Sequence, residues 1–248
     1  MATDGFIAVI DGSTSKSTLR LTPNATNGRY CMTLIAEYIR QAEKNMTCRE
    51  FCCGASAYVR SHYPCELLPR LTEHPEDRAT ASCVVYCMAR HEVWMVGDCQ
   101  CLVDNALYEN PKPCEEAIAG KRAETAKKMI EEGTATLSSL RHDDTARKSI
   151  LADLVASMAG QNVEYAVIDG FDIPMEKVRI ISVPCETKSI VLASDGYPFL
   201  KPTLAESEQA LQTQLRSDPL NIGRYKATKG CMEGSNSFDD RAYIRFEP

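Results

Sequence analysis

The sequence predicts an α+β layered sandwich with largely antiparallel sheets, and three observations point to it. Short apolar runs rich in Val and Ile recur along the chain, and their length and flanking turns mark them as strands. The links at 88–92 and 183–189 hold only a few residues, which is enough for a hairpin, whereas a parallel crossover takes a dozen or more. Helical segments fall between the strands in separate pairs rather than alternating with them one for one, which argues against a doubly wound sheet.

Taken in order, residues 6–10 (FIAVI) form the first strand, closed by Asp11-Gly12. A helix over 30–44 carries Leu34, Ile35, Tyr38 and Ile39 on one stripe, and a second over 49–62 follows a break at Asn45. Strands come at 82–88 and 92–96, with Met88, Trp94 and Met95 expected in the core. Residues 115–132 are rich in Ala, Lys and Glu and end at Gly133, a favourable C-cap. There Lys121, Arg122, Lys127 and Lys128 alternate with glutamates and read as a solvated face. The helix over 145–158 starts behind Asp143 and Asp144, good caps, and stops at Gly160. Strands at 165–168, 178–183 and 189–193 precede a helix over 203–216, where Thr203 and Glu206 have capping-box spacing. The last strand, 241–246, alternates and sets Arg241 and Arg245 on one half-exposed face. No repeat and no Pro- or Gly-rich linker interrupts the chain, so one domain over 1–248 is the simplest organisation.

The 248 residues are 44% hydrophobic and 25% charged, which excludes collagen-like, low-complexity and disordered classes. With 28 Lys plus Arg against 34 Asp plus Glu the net charge is −6, so nucleic acid, which demands a dense cationic surface, is not an expected partner. No stretch approaches the roughly 18 uncharged apolar residues that span a bilayer, and no signal peptide precedes the first strand. The expectation is a cytoplasmic protein without a membrane partner. Twelve cysteines stand without a CxxC pair, and the four histidines complete no zinc spacing. In a reducing compartment they read as free, partly buried thiols.

Phosphate loops of the GxxxxGK[ST] type, GxSxG elbows and cysteine-phosphatase loops are missing. Aspartates at strand ends are conspicuous instead. Asp11-Gly12 closes FIAVI, Asp98 follows VWMVG, Asp195-Gly196 closes SIVLAS, and Asp239-Asp240 precede the last strand. Singly, each is a turn former. As a set, strands that all end in a carboxylate can converge on one edge of a sandwich. Clustered carboxylates repel and raise each other's pKa unless a cation neutralises them. Oxygen ligands of this kind select hard ions, Mg²⁺ or Mn²⁺, and an ion pair of that sort activates water for attack on phosphorus.

The order of these motifs resembles the metal-dependent Ser/Thr protein phosphatases of type 2C. FIAVIDGS at 6–13, VWMVGDCQCLV at 93–103, IVLASDGYPFL at 190–200 and SFDDRAYIRF at 237–246 match that family's series across nearly the whole chain. The resemblance implies a four-layer αββα sandwich of two largely antiparallel sheets flanked by helix pairs. It implies hydrolysis of phosphoserine, phosphothreonine or a related phosphate monoester, in a phosphoprotein or a small phosphorylated substrate. It further implies two or three Mg²⁺ or Mn²⁺ ions, with Asp11 bridging, the Gly12 carbonyl as a further ligand, Asp195 and Asp239 on one ion, and Asp98 at a weaker third site. The family's N-terminal strand and its phosphate-binding arginine have no counterpart before Asp11. Lys16 or Arg20 is therefore expected to supply the missing cation. Two other readings stay open. A chain that lost catalysis would be a phosphatase-fold binding module, and DGSTSK at 11–16 also resembles the first phosphate loop of actin-like and sugar-kinase ATPases, whose second loop would be 166–170.

Overall fold

The computed structural model describes residues 1–248. The chain runs β1 (Phe6–Gly12), α1 (Asn27–Gln41), α2 (Cys48–Ser61), α3 (Leu68–Glu73), β2 (Ala81–Cys87), β3 (Glu92–Val96), β4 (Gln100–Val103), β5 (Ala106–Tyr108), α4 (Glu115–Glu131), α5 (Leu137–His142), α6 (Thr145–Ser149), α7 (Leu151–Met158), β6 (Arg179–Ser182), β7 (Ile190–Ala193), α8 (Leu204–Ser217) and β8 (Tyr243–Phe246). The strands form two four-stranded sheets, ordered β1-β2-β3-β6 and β5-β4-β7-β8, and every pairing in them is antiparallel.

Side-chain alternation along each strand builds the layers. Ile7, Val9, Val84, Tyr86, Val93 and Met95 leave the first sheet on one side and meet Cys101, Val103, Ile190 and Leu192 of the second. Phe6, Ala8, Val85 and Trp94 leave it on the other side and pack under α1 and α2, against Leu34, Ile35, Phe51 and Ala55. Covering both faces is why β2 is buried along its whole length. Trp94 is fully buried, its ring 6.1 Å from Phe6 and 5.5 Å from Phe51. On the outer face of the second sheet, Leu102, Val191 and Ala193 lie under Tyr197 and Leu200, which lead into α8. The helices are capped by local chemistry. Thr47 with Glu50, and Thr203 with Glu206, form complete capping boxes, each satisfying orphan N–H groups of the first turn.

Several expectations need correction. Residues 183–189 do not make a hairpin. Because β6 joins the first sheet and β7 the second, this link carries the chain across the sandwich. Residues 165–168 form no strand. Asn162 takes the Tyr165 carbonyl and the Val167 N–H, and only Ile168 reaches a strand, bridging Ala81. The helix over 145–158 breaks at the fully buried Ile150, so that Ala146 packs with Ala126 of α4 while Leu154 and Met158 turn to a cavity. Helices α3 and α5 lie in stretches without a clear apolar period. Arg122 is not on a solvated face but wholly buried. The ATPase reading loses its second loop. Asp169 of AVIDG is buried, with its carboxylate held by Arg78 Nη1 at 2.9 Å, Asn162 Nδ2 at 2.8 Å and the Phe171 N–H at 3.0 Å.

One backbone contact seats the end of β1. The first turn of α1 packs directly on the Gly12–Ser13 turn, where a Cβ on Gly28 would stand 2.1 Å from the Ser13 carbonyl oxygen and 2.8 Å from Gly12 C. Both obstacles are backbone, so Gly28→Ala is expected to destabilise the fold by about 1–3 kcal/mol in urea unfolding. Gly120→Ala, inside α4 with nothing within 4 Å of its Cβ, is expected to stabilise by about 0.5–1 kcal/mol. Equal effects for the two variants would contradict this packing.

Candidate functional site

Strand register alone brings the strand-end aspartates to one end of the sandwich. Asp11 pairs with Ser82 in the β1–β2 ladder. Cys83 pairs with Val96, which places Gly97 and Asp98 beside Ser82. In the second sheet Gln100 pairs with Ala193, so Asp98, two residues before Gln100, and Asp195, two after Ala193, leave at the same end. Ala193 also pairs with Tyr243, and the Ser194 N–H donates to the Ala242 carbonyl, drawing the 239–241 segment alongside. All four carboxylates, Asp11, Asp98, Asp195 and Asp239, line one cavity of about 150 Å³ together with Gly12 and Lys16.

The turn at Gly97 is specific. Its φ is +90°, and a Cβ there would sit 2.2 Å from Ser82 Oγ. With no side chain in the way, Ser82 Oγ donates to Asp98 Oδ1 at 2.6 Å, and Lys112 Nζ donates to Asp98 Oδ2 at 2.5 Å. Burial alone would raise the Asp98 pKa, but Lys112 and the Ser82 hydroxyl outweigh it and hold the carboxyl below its ordinary range. Burial works against the charge on Lys112 too, yet the Asp98 carboxylate keeps that amine protonated well beyond neutral pH. Asp11 and Asp195 are different. Neither has an ion pair. Burial, then the like charges of Asp98 and Asp239, push Asp11 up to about 6. Burial and the charges of Asp98, Asp11 and Asp239 raise Asp195 well above a normal carboxyl. Asp239 is ion-paired to Lys229.

Cations line the same cavity as the acids. Lys16 lines the cavity and donates to the Thr14 carbonyl at 3.0 Å. Burial and the neighbouring Arg147, Lys229 and Lys112 lower its pKa to about 8. Arg147 Nη1 donates to the Thr228 carbonyl at 2.5 Å. Arg147 and Lys229 come from distant segments, α6 and the stretch before the last strand, and one buried node holds both. Arg122 Nε and Nη2 donate to Asp144 Oδ2 at 3.0 and 2.6 Å, while Nη1 donates to the carbonyls of Leu220 and Ala227. Asp144 in turn accepts the Arg147 N–H at 2.8 Å as the cap of α6 and the Gly230 N–H at 3.4 Å.

Of the residues singled out from sequence, Asp11, Gly12, Lys16, Asp98, Asp195 and Asp239 share the cavity. Arg20 does not. It is exposed, because Asn27 clamps the backbone on either side, accepting from the Leu21 N–H and donating to the Leu19 carbonyl, while Leu19 and Leu21 pack inward. Lys112, Arg147 and Lys229 were not anticipated. They lie in loops or at a helix start, where cations carry no periodic signal. The side chains form no group of three His, Cys, Asp or Glu ready to enclose an ion, since Asp98 and Asp239 are each engaged by a lysine. Asp11 with Asp195 is the part of the set whose chemistry fits a hard dication: half-buried oxygen donors, mutually repelling, without an ion pair. All twelve cysteines are free, and no helix is long and apolar enough to cross a membrane.

No protein-family profile matches the chain, and no curated protein matches it. Among solved structures it is similar to the serine/threonine phosphatase PstP of Mycobacterium tuberculosis, with 13% identity, a TM-score of 0.44 and coverage of 99% of this chain and 88% of that one. It is similar to the serine/threonine phosphatase Stp1 of Staphylococcus aureus at 12% identity and a TM-score of 0.40, over 85% and 78% of the two chains. PppA, a regulatory component of T6SS in Pseudomonas aeruginosa, shows 12% identity and a TM-score of 0.42, over 98% and 86%. The PstP catalytic domain in complex with two manganese ions gives 13% identity and 0.41, over 99% and 87%.

The Arg122–Asp144 node is open to a direct test. Arg122→Met strands the 7% exposed Asp144 carboxylate, so a loss of about 3–5 kcal/mol is expected in urea unfolding. Adding Asp144→Leu should recover part of it. A loss under about 1 kcal/mol for Arg122→Met would show that the pair does not hold Arg147 and Lys229 in place.

Proposed function

We propose that this chain is a Mg²⁺- or Mn²⁺-dependent phosphatase acting on phosphate monoesters, phosphoserine or phosphothreonine of proteins among them. The observation that supports it is that Asp11 and Asp195, half-buried and without an ion pair, line one small cavity together with Lys16, Arg147 and Lys229. Acids suit a cation there, and bases suit an anion. At about 150 Å³ the cavity admits something of roughly benzene size, hence a phosphoryl head rather than a whole nucleotide.

Asp11, Asp195 and the Gly12 carbonyl would hold the ion. A bound dication supplies Lewis acidity at a phosphoryl oxygen and lowers the pKa of water. The chain's own residues do the remainder. Lys16 and Arg147 bring cationic N–H donors to the phosphoryl oxygens. Ile118, Leu154, Met158 and Val167 line the same cavity and exclude bulk water from it, which strengthens every charge interaction inside. A wider groove continues from Asp98 and Asp195 past Arg224, Tyr225 and Lys226, and it gives the rest of a phosphorylated side chain or peptide a place to lie.

The test is manganese-dependent hydrolysis of an aryl phosphate. Asp11→Ala and Asp195→Ala should abolish turnover, and Lys16→Ala should raise KM about 10- to 100-fold, as expected for loss of a charge-assisted bond of about 1.5–3 kcal/mol. Arg20→Ala should change neither KM nor kcat. Turnover that survives Asp195→Ala would end the proposal, and bound metal without turnover would favour a phosphate-binding module.

The Lys16 pKa of about 8 adds a pH signature. The amine carries its charge below that value and loses it above, so inhibition by inorganic phosphate should weaken as pH rises through about 8. A bound phosphate pulls the amine's pKa upward, so the fall in the complex lies higher. Lys16→Arg keeps its charge throughout, and its inhibition curve should stay flat over the same range. A step that persists in Lys16→Arg would assign the titration to another group.

A further inference from the structure

We infer that Lys112 is a built-in cation occupying the Asp98 end of the carboxylate cluster, so that divalent ions are confined to the Asp11–Asp195 end. The inference rests on the metal-dependent reading above and concerns how many ions the site takes.

Both Asp98 oxygens are committed, Oδ1 to Ser82 Oγ at 2.6 Å and Oδ2 to Lys112 Nζ at 2.5 Å. The two charged groups are largely withdrawn from water, at 23% and 10% side-chain exposure, so their attraction is little screened. The lysine is also set in place by its backbone. It stands between Pro111 and Pro113, where the ring of Pro113 restricts Lys112 to extended conformations and Pro111 has a fixed φ. Its ammonium lies 5.8 Å from the centre of the Tyr165 ring, a favourable cation–π distance. A dication entering at Asp98 would have to displace this ammonium or sit beside it, and like charges in so dry a corner repel strongly. Asp11 and Asp195 present no such obstacle, since no ammonium or guanidinium is bonded to either.

The experiment is Mn²⁺ titration calorimetry on the full chain, with the count of bound ions cross-checked by electron paramagnetic resonance and the fold by circular dichroism. Lys112→Met frees Asp98 and is expected to bind one more Mn²⁺ than the unaltered protein. Asp98→Asn is expected to keep the unaltered count, because Asp98 holds no ion, and this variant carries the test if Lys112→Met fails to fold. Equal, non-zero counts in the unaltered protein and Lys112→Met would overturn the inference and leave the metal-dependent reading standing. Loss of one ion in Asp98→Asn would overturn it as well. No Mn²⁺ in any folded variant would overturn both the inference and the reading. Mn²⁺ bound only by Lys112→Met would support the lysine's role while removing the metal from the natural protein.

Discussion

Four carboxylates crowded at one end of a sheet sandwich are the constraint on which the rest of this molecule turns. In water such a crowd disperses or protonates. Here antiparallel registers of two sheets hold the groups together, and burial denies them the solvent that would screen their charge. The chain answers in two ways. At Asp98 and Asp239 it supplies lysines from nearby loops, 14 and 10 residues away along the chain. At Asp11 and Asp195 it supplies no such partner, and both carboxyls are pushed above their ordinary range.

That asymmetry ties fold to chemistry. Ladder hydrogen bonds define the aspartate backbones to within a strand residue. The cations in the same cavity depend on side-chain packing, through the Arg122 guanidinium that spans Asp144, Leu220 and Ala227. One node therefore positions Arg147 at the start of α6 and Lys229 in the stretch before β8. A sandwich of this type has little apolar material at its open end, so a buried, fully bonded arginine takes the part that core packing has elsewhere. Its cost in desolvation is offset by the number of bonds it makes.

Much of this was legible from residue order, for physical reasons that differ from element to element. The aspartates stood out because an apolar run stops abruptly at Asp11, Asp98 and Asp195 and another starts just after Asp239, and ladder geometry then carries them to one edge. Thr203 and Glu206 announced the start of α8 because capping chemistry is local. Arg122 was misread because Lys and Arg alternating with Glu on a helix look alike whether that face meets water or a buried acid on another segment. The 183–189 link was misread because its length permits a hairpin and equally a step between sheets. Only the neighbours of β6 and β7 distinguish the two. Arg20 and Lys16 were indistinguishable as loop cations, and the Asn27 clamp that turns Arg20 outward depends on a contact with α1. Lys112 and Lys229 gave no signal, since a lone lysine in an irregular segment has no period to betray its direction.

The central claim is that the Asp11–Asp195 pair lacks a partner because its partner is a metal ion. Anomalous diffraction from a crystal equilibrated with Mn²⁺ addresses it most directly. The account predicts a strong anomalous peak within coordination distance of both carboxylates. At saturating Mn²⁺, no peak there would contradict it.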